Sequence, residues 1–203
     1  MRKYLILLVL LFGVVLVSCK KNEEDYPPDK ELQLLPYYNY LKKDNPVVTI
    51  KIKDFGEIKV ELFPSVAKVT VDNFIKYVQE SAYVGSTFHR IIEDFMIQGG
   101  IVRNAFPPIV GEFSSNGITN DLKHDRGVIS MARTGVKNSA TSQFFIVHKV
   151  SPHLDGEYAG FGGVIEGLDI LDKVAGVETN SNDVPISSIV IENVTINLRG
   201  YKN

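Results

Sequence analysis

The chain has 203 residues, enough for one domain with a sizeable core, and its 22 Lys and Arg stand against 24 Asp and Glu for a net charge of −2. No basic block or stripe is present, which removes the electrostatic basis for a nucleic-acid partner. Cys19 is the only cysteine, so no disulfide can form within these residues and the fold must stand on its hydrophobic core.

Arg2 and Lys3 precede an apolar run from Leu5 to Val17, and small residues follow, the pattern of a secretory signal peptide over residues 1–18. Its end, Leu16-Val17-Ser18-Cys19, resembles the bacterial lipobox, in which the cysteine thiol is acylated before cleavage and becomes the first residue of the mature chain. The resemblance implies lipidation at Cys19 and a cell-envelope protein held to the membrane by that lipid. The alternative is a transmembrane anchor with a buried cysteine, but the run falls short of the roughly 20 residues that span a bilayer. Residues 19–45 are expected to form the lipidated tether. Lys20 to Asp25 is wholly polar, and Pro27-Pro28 favours extended backbone. Leu32, Leu34, Leu35, Tyr37, Tyr38 and Tyr40 are apolar enough to dock as a short helix broken at Pro36, so docked arm and mobile tether both stay open. Lys20 directly after the cysteine argues against inner-membrane retention by the enterobacterial rule. The expected place is the outer membrane facing the periplasm, with the cell surface as the alternative, since Glu23-Glu24-Asp25 resembles acidic export tags.

The domain is expected over residues 46–199. Val48, Ile50 and Ile52 alternate with Thr49, Lys51 and Lys53; after turn residues 54–57, Ile58, Val60 and Leu62 alternate with Lys59 and Glu61, predicting a β-hairpin. Pro64-Ser65 reads as a helix start, followed by helical spacing through Val66, Phe74, Tyr77 and Val78. Short strands are predicted at 87–92, 96–98, 128–131 and 144–147, and a second helix at 166–175. A final strand or pair runs through Ile189, Ile191, Val194 and Ile196. Gly160-Phe161-Gly162-Gly163 has neither the spacing nor the βαβ setting of a dinucleotide loop and reads as a turn. Many strands, two helices and Gly-rich loops predict a mainly β fold, a closed antiparallel barrel.

Thr87 to Gly100 (TFHRIIEDFMIQGG), Gly127 to Arg133 (GVISMAR), Ser139 to Ile146 (SATSQFFI) and Leu154-Asp155-Gly156 followed by Phe161-Gly162 resemble, in order and near spacing, the signatures of the cyclophilins, the peptidyl-prolyl cis–trans isomerases. The resemblance covers about residues 47–198. It implies an eight-stranded barrel with two flanking helices, and an enzyme that turns X–Pro bonds without cofactor or metal. It assigns Arg90 as the catalytic arginine and Phe95, Met96, Phe145 and Leu154 to a proline pocket. Gln98 and Gln143 are assigned to polar contacts with substrate backbone or with Arg90. Ala132 and Arg133 line the peptide groove, Arg133 mainly through its backbone. Tyr158 replaces a rim histidine of many members, and His153 stands at the rim where many eukaryotic members have tryptophan. Partners implied are proline-containing unfolded or exported polypeptides, met by a monomer.

Those residue types suit the chemistry. Rotation about a peptide bond faces about 18–20 kcal/mol because resonance stiffens the C–N bond, and uncatalysed X–Pro exchange takes tens to hundreds of seconds. No bond breaks. What is needed is an apolar socket for the ring and a donor to the nitrogen lone pair that appears when the amide twists. An always-charged guanidinium supplies that donor, and lowers the barrier only by favouring the twisted state over the planar one. Strict alternation puts Phe88 and Arg90 on one face and His89 on the other. Phe88 and Phe144 read as core, and His89 as a structural histidine. The four histidines, His89, His124, His148 and His153, show no zinc-binding spacing, and no nucleophile elbow is present. Two other readings remain: a proline-peptide binding module, which could dispense with Arg90, and a structural envelope lipoprotein.

Overall fold

A computed structural model describes residues 29–202; the expected signal peptide, Cys19 and the tether as far as Pro28 lie outside the described residues. Eight strands form a closed antiparallel barrel: β1 (Val47–Ile52), β2 (Gly56–Leu62), β3 (Thr87–Ile92), β4 (Met96–Gly99), β5 (Val128–Met131), β6 (Phe144–Val147), β7 (Gly160–Glu166) and β8 (Ile189–Asn197). Around the barrel the order is β1-β2-β7-β5-β6-β4-β3-β8, and β8 closes it by pairing with both β1 and β3. The alternation read in the first hairpin is real: Val48, Ile50 and Ile52 meet Ile58, Val60 and Leu62 in the interior, all at most 1% exposed.

Helix α1 (Lys68–Gln79) follows β2 and packs Val71, Phe74, Ile75 and Val78 on the core, with the Phe74 ring 5.4 Å from Phe144 and 5.2 Å from Phe161. It begins later than Pro64 because residues 64–66 form a turn, and its cap comes from far away. Glu112, itself buried, accepts hydrogen bonds from the Val69 and Thr70 amides at 3.2 and 2.7 Å and from the Thr70 hydroxyl. A carboxylate at a helix N-terminus satisfies orphan donors and meets the positive end of the dipole. Helix α2 (Leu168–Ala175) starts after Gly167, at φ 89°, and packs against the opposite end of β2, where Ile170 covers Gly56. Glu166, expected in this helix, ends β7 instead.

The glycine-rich run expected as a turn is strand β7. Its glycines are there for close approach. A Cβ on Gly162 would strike the Glu61 carbonyl and Ile129, and one on Gly163 would strike the Tyr37 ring. The C-terminal segment, expected as a strand or pair, is the single strand β8, so β7 completes the eight.

The residues of the arm that lie within the structure dock. Two 3-10 turns, Leu32–Leu34 and Tyr38–Tyr40, flank Pro36. Tyr37 is 1% exposed and donates from its hydroxyl to the Val164 carbonyl at 2.6 Å, while Tyr40 stacks on Phe63 at 5.7 Å. Buried Glu61 ties the arm to the chain's other end. Its carboxylate accepts from the Lys42 amide (2.7 Å), the Asn45 side chain (2.9 Å) and Arg199 (3.3 Å). Tyr37 and Leu41 thereby join Phe63, Leu122, Val128 and Val147 in a second apolar layer outside the barrel, and that layer continues into Met96, Phe145 and Leu154.

Candidate active site

Adjacent strands β3, β4 and β6 bring the first residues together, since Arg90 pairs with Gln98 and Gln98 with Phe145. On β4, Met96 and Gln98 face outward and Ile97 inward; on β6, Phe145 and Val147 face outward and Phe144 and Ile146 inward. Strand β3 departs from simple alternation. A register shift between Phe88 and Arg90 marks a β-bulge, which inserts one residue and switches the faces that follow. Phe88 and Ile91 both enter the barrel core, and Arg90 is delivered to the outer face. The expectation that Phe88 and Arg90 share a face is corrected by that bulge. His89 is partly buried, and burial lowers its pKa, with the Thr87 backbone and Gln143 opposing the shift.

Loops supply the rest. Asp94, at φ 62°, turns β3 into β4 and presents Phe95, whose carbonyl accepts from the His148 amide at 2.8 Å. A 3-10 turn, Pro152–Leu154, presents Leu154, which is 7% exposed. Together Arg90, Phe95, Met96, Gln98, Ala132, Arg133, Phe145, Leu154 and Tyr158 enclose a cavity of about 180 Å³. Gln143 is tied to this wall by a 3.0 Å bond from the Gln98 amide nitrogen. His153 is exposed at the edge, its ring 5.3 Å from that of Phe95. The residues assigned to the site, from Arg90 to Tyr158, thus lie together in one place. A larger hollow of about 380 Å³ beside α1 gathers no such set, and Lys76 already covers its Phe106 ring at 3.8 Å.

Two arginines are held by partners that no sequence motif marked. The Arg90 side chain bonds neither glutamine; its Nε and Nη2 lie 3.2 Å from one carboxylate oxygen of Asp183, in a loop outside the motifs. The Arg133 side chain is tied within the protein. Its Nε and Nη2 donate to the Glu157 carbonyl at 3.0 and 2.9 Å and its Nη1 to the Thr134 carbonyl at 2.9 Å. The guanidinium lies 4.6 Å from the Tyr158 ring and 5.1 Å from that of Phe113, a cation–π sandwich that braces Tyr158 edge-on to Phe145.

Behind Phe145, buried His124 stacks on its ring at 6.1 Å and bonds Asp155 through Nδ1 (3.1 Å) and Ser130 through Nε2 (3.0 Å). The three residue types match a hydrolytic triad, but Ser130 is 0% exposed and no substrate could reach it. The chain instead fixes Phe145 and the Leu154-Asp155 turn. Burial lowers the His124 pKa, with Asp155 opposing. Burial pushes Asp155 up, but hydrogen bonds from the His124 amide and ring outweigh it and leave its carboxyl below the usual range.

The family model for cyclophilin type peptidyl-prolyl cis-trans isomerases matches residues 47–196. The chain is a cyclophilin. A peptidyl-prolyl cis-trans isomerase of Streptomyces antibioticus is 40% identical over 158 residues, covering 70% of this chain and 93% of its own length. Isomerase B of Escherichia coli is 38% identical, covering 70% of this chain and 94% of its own. A crystal structure of a cyclophilin type isomerase from Cryptosporidium parvum superposes with a TM-score of 0.65 at 30% identity, covering 75% of this chain and 97% of its own. The barrel with two helices is therefore the cyclophilin fold, and the enzyme is a peptidyl-prolyl cis–trans isomerase.

Proposed function

We propose that this isomerase works in the bacterial cell envelope, tethered by a lipid on Cys19, and speeds the folding of exported polypeptides by rotating their X–Pro bonds, with Arg90 as the catalytic donor. The observation that carries the site assignment is the always-charged Arg90 opening onto a small cavity that Phe95, Met96, Phe145 and Leu154 also line. Phe95, Met96, Phe145 and Leu154 receive the proline ring, and burying it fixes one side of the bond that must turn. Gln98, held by Gln143, offers an amide to the peptide backbone. As the amide twists, resonance is lost and the pyrrolidine nitrogen regains a lone pair. Arg90 donates to that nitrogen, and because the planar amide offers no such lone pair, the bond forms only in the twisted state and lowers the barrier. Nothing is transferred, so no covalent intermediate and no cofactor takes part.

The envelope setting is supported by the lipobox-like Leu16-Val17-Ser18-Cys19 and the polar stretch behind it, with the outer membrane facing the periplasm favoured by Lys20. Clients are incompletely folded proline-containing chains, whose exposed X–Pro segments a cavity of about 180 Å³ can engage one ring at a time. The test is exchange between cis and trans X–Pro peptide with the purified full chain. Wild type accelerates it, and Phe145→Ala raises KM by removing the pocket floor. A protein that binds proline peptide without accelerating exchange would be a binding module, and the assignment of this site would fall.

A further inference from the structure

We propose that Asp183 is the positioning residue of Arg90, an inference that rests on the reading of Arg90 as the donor. Strand β3 pairs with β8 only at Thr87 and Phe88, so beyond Phe88 its edge is free of strand partners. The loop before β8 occupies that edge with one residue. The Asp183 carbonyl accepts from the Ile91 amide at 2.8 Å, while its carboxylate accepts a hydrogen bond from Arg90 Nε at 3.2 Å and forms an ion pair with Nη2, also at 3.2 Å. Main chain and side chain of a single aspartate therefore grip two successive residues of β3, one of them the arginine that opens onto the cavity.

The loop is built to hold that residue. Thr179 bridges to Pro185, the Ile186 amide bonds the Glu178 carbonyl at 2.9 Å, and the Asn180 side chain accepts from the Asn182 and Val184 amides at 2.9 and 3.1 Å. At its tip Asp183 adopts φ 62°, the left-handed region that an aspartate tolerates at some cost. A long arginine at a bulge can point many ways. The Nε bond and the Nη2 ion-pair contact to the carboxylate fix the guanidinium plane and leave Nη1 to meet a bound amide. The carboxylate also offsets the positive charge of Arg90. With the two side chains 41% and 40% exposed, the pair adds little to stability. Its effect belongs in catalysis.

The experiment uses the purified full chain and a proline peptide, with Asp183→Gly and Asp183→Asn made alone and in an Arg90→Ala background. Glycine keeps the left-handed backbone and removes the carboxylate; asparagine keeps the backbone and one acceptor oxygen. Asp183→Gly lowers kcat about tenfold with KM within about twofold, the signature of a misplaced donor rather than lost binding. Asp183→Asn recovers to within about threefold of wild type, and Asp183→Gly changes nothing beyond about twofold once Arg90 is gone. Two results overturn the proposal while leaving Arg90 in its role: an unchanged rate in Asp183→Gly, or an equal loss in both backgrounds. If Arg90→Ala itself leaves exchange unaltered, the role given to Arg90 fails and this inference fails with it.

Discussion

Replacing Tyr37 tests whether the residues before the barrel belong to the fold. The hydroxyl donates to the buried Val164 carbonyl, and the ring fills the hollow that Gly163 leaves open. Tyr37→Phe removes one buried hydrogen bond, a cost of about 1 kcal/mol. Tyr37→Ala empties the hollow, and loss of a buried aromatic ring costs about 3–5 kcal/mol. That figure has a ceiling. The arm can let go of the barrel, so no substitution in it costs more than a chain lacking residues 1–45. For a domain of this size each kcal/mol moves Tm by about 2–4 °C, so thermal unfolding drops by about 2–4 °C for Tyr37→Phe and about 6–20 °C for Tyr37→Ala. Truncation gives a shift at least as large as Tyr37→Ala. Exchange activity survives all three at temperatures below the transition, because no arm residue lines the Arg90 cavity. A shift under about 2 °C for Tyr37→Ala would refute the docking and return this segment to a mobile tether.

Glu112→Ala strips the cap from α1 and lowers unfolding free energy in urea by about 1–2 kcal/mol; an unchanged midpoint would contradict the capping role. Burial holds the His124 pKa below its ordinary 6.5, so between the two values the unfolded chain binds more protons than the folded one. That contribution is whole above about 6.5 and is lost as pH falls toward the folded value, by no more than about 1.4 kcal/mol per pH unit; His89, shifted the same way, adds to it. Urea unfolding from pH 7 to pH 5 therefore weakens in wild type and declines less in His124→Gln, and a flat wild-type profile would show the reasoning wrong. Cys19→Ala moves the protein from the membrane fraction to the soluble one with its exchange activity intact, whereas continued membrane attachment would leave the lipid anchor without support.

Much of this was legible because two signals are local. Alternation in β1, β2 and β8 is a pattern of neighbours, and the short motifs around Arg90, Gln143 and Leu154 specify the residues that line the cavity. What stayed hidden depends on partners distant in sequence. Strand β7 reads as a turn because its glycines answer to Tyr37, Glu61 and Ile129 rather than to their own neighbours. The start of α1 is set by Glu112, 42 residues from Thr70, so local capping rules point too early. The bulge at β3 reverses which residues share a face, and only pairing with β4 reveals it. Asp183 sits 93 residues from Arg90 in a loop without a motif, and a positive-φ aspartate gives no sign in sequence of the side chain it holds. For the arm, a few leucines followed by tyrosines suit docking and mobility alike, and only Gly163, which leaves room for the Tyr37 ring, and Glu61, which bonds Lys42 and Asn45, place it on the barrel.

The role of Arg90 is decided by measuring rate and affinity on the same variant. Exchange on an X–Pro peptide gives kcat/KM, and titration of that peptide gives Kd, for wild type and Arg90→Ala. If Arg90 donates only to the twisted amide, kcat/KM falls by about 10²–10³, the range for losing one charge-stabilising donor. Kd then stays within about threefold, because planar substrate never made that bond. Equal losses in rate and affinity, or no loss in rate, would contradict it.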